Sequence, residues 1–296
     1  MKDYTYLIIQ NLEILYKNEL LNDNIFKANA YNKVKNNIIN HEYPIYYLSD
    51  LDNIKGIGKG IYFKLKELFE TNKIEKVEII KKNPLYLLLD IYGIGYKTIK
   101  KYNIKNINDL IKIKNILNNN QKIGLKYYKD LQKRIDLKEM KKHHNFINNE
   151  LKKYDNLTYE FVGSYRRKLK TFGDIDIIIK ENKNFDLNNF IDNLIKKKYI
   201  IEKLAVGKHK FMGICKIEKI SRRIDILIAP ENEYSFSLLY FTGSYVFNIM
   251  MRKYAKNIGL TLNEHGFNKK INIDFKTEKD IFDYLKLEYV KPENRN

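Results

Sequence analysis

The residues best suited to chemistry are acidic and sit in two short apolar stretches. Gly163-Ser164-Tyr165-Arg166-Arg167 is followed by Gly173-Asp174-Ile175-Asp176-Ile177-Ile178-Ile179. A strand alternates its side chains, so Asp174 and Asp176 share one face while Ile175, Ile177 and Ile179 point to the other, into a core. Two carboxylates side by side repel unless a cation neutralises them, and hard oxygen donors beside a glycine turn suit magnesium carrying phosphates. A second stretch, Arg222-Arg223-Ile224-Asp225-Ile226-Leu227-Ile228, again isolates a carboxylate among branched apolar residues. Paired beside the first, Asp225 completes a three-carboxylate cluster. Such a cluster can hold two ions about 3.5–4 Å apart, one activating an attacking oxygen and one clamping a leaving phosphate. The Gly163-Ser164 turn offers N–H groups and a hydroxyl to phosphate oxygens, and Arg167 adds a forked donor. A lone Asp-x-Asp is as easily the end of a buried strand; the three elements in this order carry the reading.

The elements that must position these residues are legible in the periodicity. Residues 2–20 carry Tyr4, Leu7, Ile8, Leu12, Leu15 and Tyr16 at helical spacing, and Ile25–Ile39 repeats the pattern with Phe26, Ala30, Tyr31, Val34 and Ile38. Residues 103–134 read as helical segments, and Lys138–Lys153 as a charged helix leading into the strand Tyr159–Val162 that delivers Gly163. Phe185–Lys198 returns to helix, ahead of strands at 199–205, 210–217 and 222–228. The result is a small mixed sheet flanked by helices. Beyond Pro230, Ser235–Ile258 is mostly helical, and the remainder mixes short strands with a last helix near Asp280–Leu287.

Gly56-Ile57-Gly58 precedes the helical run Ile61–Phe69, and Gly93-Ile94-Gly95 again precedes a short basic helix. A glycine turn feeding a helix lets backbone N–H groups approach phosphate at the positive end of the helix dipole. Two such helix-hairpin-helix candidates favour a sequence-independent grip on a DNA backbone. The balance of charge agrees: 55 Lys and Arg against 36 Asp and Glu give +19. That excess points to a polyanionic partner, nucleic acid before membrane. No apolar run approaches a membrane span, and Leu7-Ile8-Ile9 is too short for a signal-peptide core. The single cysteine, Cys215, permits no intrachain disulfide, so a reducing, intracellular setting is expected. Five scattered histidines offer no zinc spacing, and His143 and His144 read as solvated positions on a basic helix.

Taken together these stretches resemble the X-family DNA polymerases, DNA polymerase beta and its relatives, over essentially the whole chain. The resemblance rests on Asn29-Ala30-Tyr31, both Gly-Ile-Gly hairpins and Gln121-Lys122-Ile123-Gly124-Leu125-Lys126-Tyr127. It continues through Gly163–Arg167 with Gly-Asp-x-Asp, Lys210-Phe211-Met212-Gly213, Arg222–Asp225, Tyr240-Phe241-Thr242-Gly243-Ser244 and Asp280-Ile281-Phe282-Asp283-Tyr284. It implies that Asp174, Asp176 and Asp225 bind two magnesium ions, with manganese a possible substitute, and that Asp225 directs the proton of a primer 3'-hydroxyl. It implies that Ser164, Arg167, Gly173 and Arg134 hold a triphosphate. Tyr240, Phe241 and Gly243 would discriminate the sugar, and Asn248 would read the minor-groove edge of the incoming base. Arg252 and Glu264 would touch the template side, and Lys210 and Arg223 would contact DNA. Lys64 falls where the family carries a Schiff-base lysine that attacks C1' of a 5'-deoxyribose phosphate. Lys27, Lys59 and Lys66 crowd the same region and would lower its pKa. Lys27, Tyr31, Lys33 and Lys76 match phosphate-site positions, and Gly56, Gly58, Gly93 and Gly95 match DNA-gripping hairpins that can also hold a monovalent cation.

Some positions depart from the family. Phe26 stands for a DNA-stacking histidine, while Asp52 and Gly60 stand at positions usually basic. Tyr245 takes an acidic position and Leu227 an arginine position near Asp225, so nucleotide selectivity is expected to differ, toward lower fidelity. The expected fold is α+β: an all-helical lyase domain over 1–79, a helical DNA-binding subdomain over 80–136, a catalytic palm with a mixed β-sheet over 137–230, and an α+β nascent-base-pair subdomain over 231–296. The expected activity is template-directed filling of short gaps in base excision repair, by a monomer acting on gapped or nicked duplex DNA and deoxynucleoside triphosphates, with no membrane partner. A template-independent nucleotidyltransferase and a non-catalytic DNA-binding scaffold are the rival readings.

Overall fold

A computed structural model describes residues 2–41, 43–269 and 271–295, and the chain divides into two units, 1–128 and 129–296. In the first unit the apolar stripes become helices. α1 (Thr5–Leu21) and α2 (Ile25–Ile39) bury Ile8, Leu12 and Leu15 against Tyr31, Val34 and Ile38. α3 (Lys59–Thr71) and α4 (Glu75–Lys81) add Leu65, Leu68 and Val77 to buried positions. The short helices α5 (Pro84–Leu87), α6 (Tyr96–Lys101) and α7 (Ile107–Lys112), then α8 (Asn119–Leu131), surround a second core of Leu88, Ile91, Ile94, Ile99 and Leu110. The two glycine turns adopt one geometry. Gly56 and Gly93 take φ of +94° and +79°, open to glycine and costly to a side chain, while Gly58 and Gly95 are extended residues that open α3 and α6. Both hairpins form as expected.

The second unit begins with β1 (Ile135–Asp136) and α9 (Leu137–Leu151), followed by β2 (Tyr159–Phe161) and the short helix α10 (Gly163–Arg166). β3 (Thr171–Phe172) pairs with β1, and β4 (Ile175–Lys180) follows at once. α11 (Leu187–Lys196), β5 (Ile200–Val206), β6 (Lys210–Lys216) and β7 (Ser221–Ala229) complete a five-stranded sheet of order β2-β4-β7-β6-β5. Only the β4–β7 pair is parallel, and the chain makes the long crossover through α11, β5 and β6 that a parallel pair requires. One face of the sheet carries Ile175, Ile177, Ile179, Ile224 and Ile226 into a core closed by Phe172, Phe190 and Leu194. The other face is also covered: Ile178 is buried with Val162 and Ala229 against Tyr234, Leu238 and Phe241.

Those last residues belong to α12 (Tyr234–Thr242), which leads to α13 (Tyr245–Asn257), the hairpin β8 (Leu262–Asn263) and β9 (Gly266–Phe267), and α14 (Glu278–Tyr284). Phe236, Phe247, Met251, Ile281 and Phe282 form their core. A buried ion network ties α14 back to α10. Arg166 makes a fork of 2.9 and 2.8 Å to the Glu278 carboxylate, which also accepts from Arg295 Nη1 at 2.6 Å. The architecture is α+β, as the sequence pattern requires.

Candidate active site

The carboxylate cluster is assembled by strand register. In the parallel pair Asp176 lies directly opposite Asp225, and Asp174 immediately precedes β4 on the same side. The three offer ligand oxygens within 4.8 Å of one another, and all three are half-buried. Their flanking isoleucines point into the core, so the carboxylates have one direction left to them. Crowding and burial act together. Asp176 is pushed up to about 7, first by burial and then by the Asp225 carboxylate, with the Arg167 guanidinium opposing. Burial likewise lifts Asp225 above the ordinary carboxylate range, against Arg223 and Lys210.

This donor set fits a divalent cation. Three hard carboxylates converge, and Asp225 Oδ1 is buried without a hydrogen-bond partner. Arg223 supplies positive charge at the cluster: it pairs with Asp174, and its Nε lies 3.6 Å from Asp225 Oδ1, too long for a hydrogen bond. Gly163 belongs to the same surface. It has φ +60°, and a Cβ at that position would fall inside the Asp176 carboxylate, so the turn approaches the cluster as closely as a backbone can. The arrangement can bring a phosphate-bearing ligand from the N-terminal turn of α10 onto cations held by the carboxylates.

Around the cluster, several of the expected residues engage one another. Arg134 bonds Thr171 through Nε at 3.2 Å and Nη2 at 2.6 Å, which lays its Nη1 over Gly173. Arg167 Nη1 donates to the Thr242 carbonyl at 2.6 Å, joining the Ser164 turn to Tyr240–Gly243. Tyr240 and Phe241 meet edge to face at 5.2 Å, and Phe241 also packs on Ile178. Asn248 donates to the Tyr240 carbonyl at 2.7 Å, and Arg252 to the Asn248 carbonyl at 3.2 Å. The Glu264 carbonyl accepts from Ser237 at 2.8 Å. Lys210 is exposed at the start of β6.

The lysine site lies wholly in the first unit. Lys64 is half-buried on α3, donates to the Gly60 carbonyl at 2.9 Å, and has a lowered pKa. The ranking of causes corrects the sequence expectation: burial comes first, then Lys76, with Lys27 adding less, and Glu19 and Glu67 opposing. Lys66 instead lies 3.8 Å from Glu70. Lys76 does not wait free for phosphate; it is paired to Glu19 at 2.8 Å. Tyr31 is buried, whereas Lys27 and Lys33 are exposed. Phe26 is 86 % exposed, an unpacked aromatic at the expected stacking position.

A second correction concerns the histidines. His143 is not solvated. It is wholly buried, with Nδ1 2.9 Å from the Tyr199 hydroxyl and 3.9 Å from the Cys215 thiol. Burial pushes its pKa down to about 4. His144 is half-buried and packs on Phe161 and Tyr165. Sequence reasoning also missed Glu19, Glu139 and Glu278, the buried or half-buried carboxylates that hold Lys76, Arg222 and Arg166. No helix among the described residues is long and apolar enough to cross a membrane.

Comparison with known proteins bears on the same segments. Residues 5–74 match a helix-hairpin-helix domain, 86–132 the fingers domain of DNA polymerase lambda, 134–231 the DNA polymerase beta palm and 237–296 the DNA polymerase beta thumb. Among whole proteins the chain is similar to DNA polymerase lambda of Rattus norvegicus, 27 % identical over 99 % of this chain and 56 % of that protein. It is similar to DNA polymerase lambda of Arabidopsis thaliana, 28 % identical over 84 % of this chain and 54 % of that one. It also resembles the type-X family protein pol4 of Schizosaccharomyces pombe, 23 % identical over all of this chain and 65 % of the relative. The chain thus spans between 54 and 65 % of the length of these curated relatives. With helix-hairpin-helix, fingers, palm and thumb following one another along a sequence whose strand register gathers three aspartates, the chain belongs to the X-family of DNA polymerases.

Proposed function

We propose that this chain is a template-directed DNA polymerase that fills short gaps during base excision repair, with a 5'-deoxyribose-phosphate lyase in its N-terminal unit. The observation that carries the reading is the Asp176–Asp225 register, with Asp174 beside it and Gly163 against it. Asp174, Asp176 and Asp225 would hold two magnesium ions. Bound there, divalent cations supply charge to a transferring phosphoryl group and acidity to a primer 3'-hydroxyl. The protein's own part is positioning and proton handling. Asp225 Oδ1, buried and without a hydrogen bond, accepts the proton of the 3'-hydroxyl. Ser164, Arg167, Gly173 and Arg134 cradle the triphosphate. Tyr240, Phe241 and Gly243 crowd the sugar, Asn248 reads the base edge, and Arg252, Glu264, Lys210 and Arg223 face DNA.

The bonds that Arg223, Arg167 and Asn248 make to Asp174, Thr242 and Tyr240 are those that incoming ligands have to replace. Four working parts, divided near 79, 136 and 230, would act as a monomer inside the cell, and the glycine hairpins would grip backbone phosphates, with or without a monovalent cation. The replacements Tyr245 and Leu227 favour a less selective polymerase, which misinsertion opposite a one-nucleotide gap measures; error rates as low as those of DNA polymerase beta reject it.

Primer extension on a gapped duplex tests the central claim. Wild type extends by the templated nucleotide, and Asp225→Ala loses at least on the order of 10³-fold in rate. Undiminished extension by Asp225→Ala, or extension of single strands without a template, discards the reading. Borohydride trapping on an incised abasic site tests the lyase. Lys64→Ala abolishes it, whereas unchanged trapping moves the nucleophile elsewhere.

A further inference from the structure

Two arginines stand next to each other on β7 and face opposite ways. Arg223 lies on the aspartate face and pairs with Asp174. Arg222 shares the other face with Ile224 and Ile226 and is 3 % exposed. Its Nε and Nη2 take both oxygens of the Glu139 carboxylate of α9, and its remaining nitrogen, Nη1, donates to the Lys133 carbonyl at 2.5 Å. A buried ion pair brings little stability over apolar residues of the same volume. What Arg222 adds, and an apolar residue cannot, is a hold on that carbonyl.

The carbonyl lies where a hold is needed. α8 ends at Leu131 and β1 begins at Ile135, so residues 132–134 have no regular ladder to fix their path. Two side chains tie this short link to the first residues of β7. Asp130 Oδ2 accepts from the Ser221 N–H at 2.9 Å, and Arg222 holds Lys133 at the other end.

The next residue is Arg134, which is exposed, so that its backbone origin and its own bonds direct it and burial does not. Its Nε and Nη2 bond Thr171 of β3 at 3.2 and 2.6 Å. Nη1 is left over Gly173, where a Cβ would come within 3.1 Å of it, and Gly173 adjoins Asp174. A line of contacts therefore runs from Glu139 through Arg222 and the Lys133 carbonyl to Arg134 and the edge of the carboxylate cluster. Both faces of β7 serve one site, Arg223 at the carboxylates and Arg222 behind the arginine that meets the phosphates.

Resting on the polymerase reading, we propose that Arg222 is a positioning residue for the incoming nucleotide: from behind β7 it fixes the Lys133 carbonyl and so aims Arg134 at the triphosphate. It touches no ligand itself, so its effect reaches the phosphates through Arg134 alone, and the two residues must act non-additively.

Single-turnover extension of a one-nucleotide gap over a range of nucleotide concentrations reads the nucleotide Kd and the maximum rate separately. Arg222→Lys keeps the positive charge but cannot fork Glu139 and reach the carbonyl together. It should raise the Kd about tenfold and leave the maximum rate within about twofold of wild type. Asp130→Ala, which frees the other end of the link without touching the buried ion pair, should raise the Kd about fivefold. Arg134→Ala should raise it at least as much as Arg222→Lys, and adding Arg222→Lys to Arg134→Ala should change it no further. A Kd within about twofold of wild type in folded Arg222→Lys overturns the proposal. So do effects of Arg222→Lys and Arg134→Ala that multiply, or a fall in maximum rate with the Kd unmoved. If Arg222→Lys loses the native circular dichroism, Asp130→Ala, alone and combined with Arg134→Ala, decides by the same criteria. A wild type that does not extend the templated gap removes the polymerase reading and this proposal with it, whereas templated extension with an unmoved Kd removes the proposal alone.

Discussion

The palm and the helical N-terminal unit each gather like charges in partly buried surroundings, opposite in sign and differently held. In the palm, hydrogen-bonded register sets Asp176 beside Asp225, and core isoleucines on either side fix the direction of both. In the N-terminal unit Lys27, Lys64 and Lys76 come from three helices, and Lys76 is held by a side chain from a fourth. The electrostatics are the same physics run both ways: burial and like neighbours lift Asp176 and lower Lys64. The difference lies in compliance. A strand ladder fixes side-chain position residue by residue, which suits carboxylates whose spacing must match cations. Side chains on packed helices exchange partners more readily, and the exposed Lys76 meets its carboxylate from across two helices with no ladder to fix it.

If rigidity under the sheet sets the palm cluster, the contrast breaks first at Arg222. Its Nε and Nη2 reach Glu139 at 2.7 and 2.6 Å, and Nη1 reaches the Lys133 carbonyl at 2.5 Å, all on the face of β7 opposite Asp225. Arg222→Met strands Glu139 and should cost about 3–5 kcal/mol in urea unfolding of the C-terminal unit. A loss under about 1 kcal/mol would mean that the sheet does not lean on this pair. His143, beside Glu139, makes the same unit sensitive to acid. Its folded pKa of about 4 lies below the unfolded value near 6.5, so its contribution is complete above pH 6.5 and is lost as pH falls toward 4. That amounts to about 3 kcal/mol at most. His143→Leu should flatten this part of the stability curve; an unchanged slope assigns it to other groups.

Gly163 tests the cluster without disturbing the core. Gly163→Ala forces a methyl group into Asp176 at φ +60° and should slow primer extension on the order of 10²-fold, leaving borohydride trapping at Lys64 intact. Parallel loss of both activities would show that the change unfolds the chain and not merely the site.

How much of this was legible depended on range. Period-two runs disclosed β4 and β7, and residue type alone suggested that their aspartates meet, although the parallel pairing spans a long crossover. The cover over the aspartate face was not legible, because Ile178 reads like any strand residue until α12 lies on it. The Arg166–Glu278 fork joins residues 112 apart and leaves no local trace. Two buried polar residues, His143 and Glu19, did carry a signal in their spacing. Met140, His143, Ile147 and Leu151 form one helical stripe, as do Leu12, Leu15 and Glu19, so position argued for burial where residue type argued against it.

The smallest expected effect bears most directly on compliance. Lys76 is the strongest charged influence lowering the pKa of Lys64, and it neutralises Glu19, whose charge acts the other way. Lys76→Ala removes the first effect and exposes the second, so both push the Lys64 pKa up. Imine formation requires the neutral amine, and its pH profile should therefore move to higher pH, with trapping at neutral pH reduced and recovered in alkali. The palm offers no equivalent response, since its carboxylates are set by register. An unmoved profile in Lys76→Ala would mean that Lys64 is governed by burial alone and that the helical site is as fixed as the sheet.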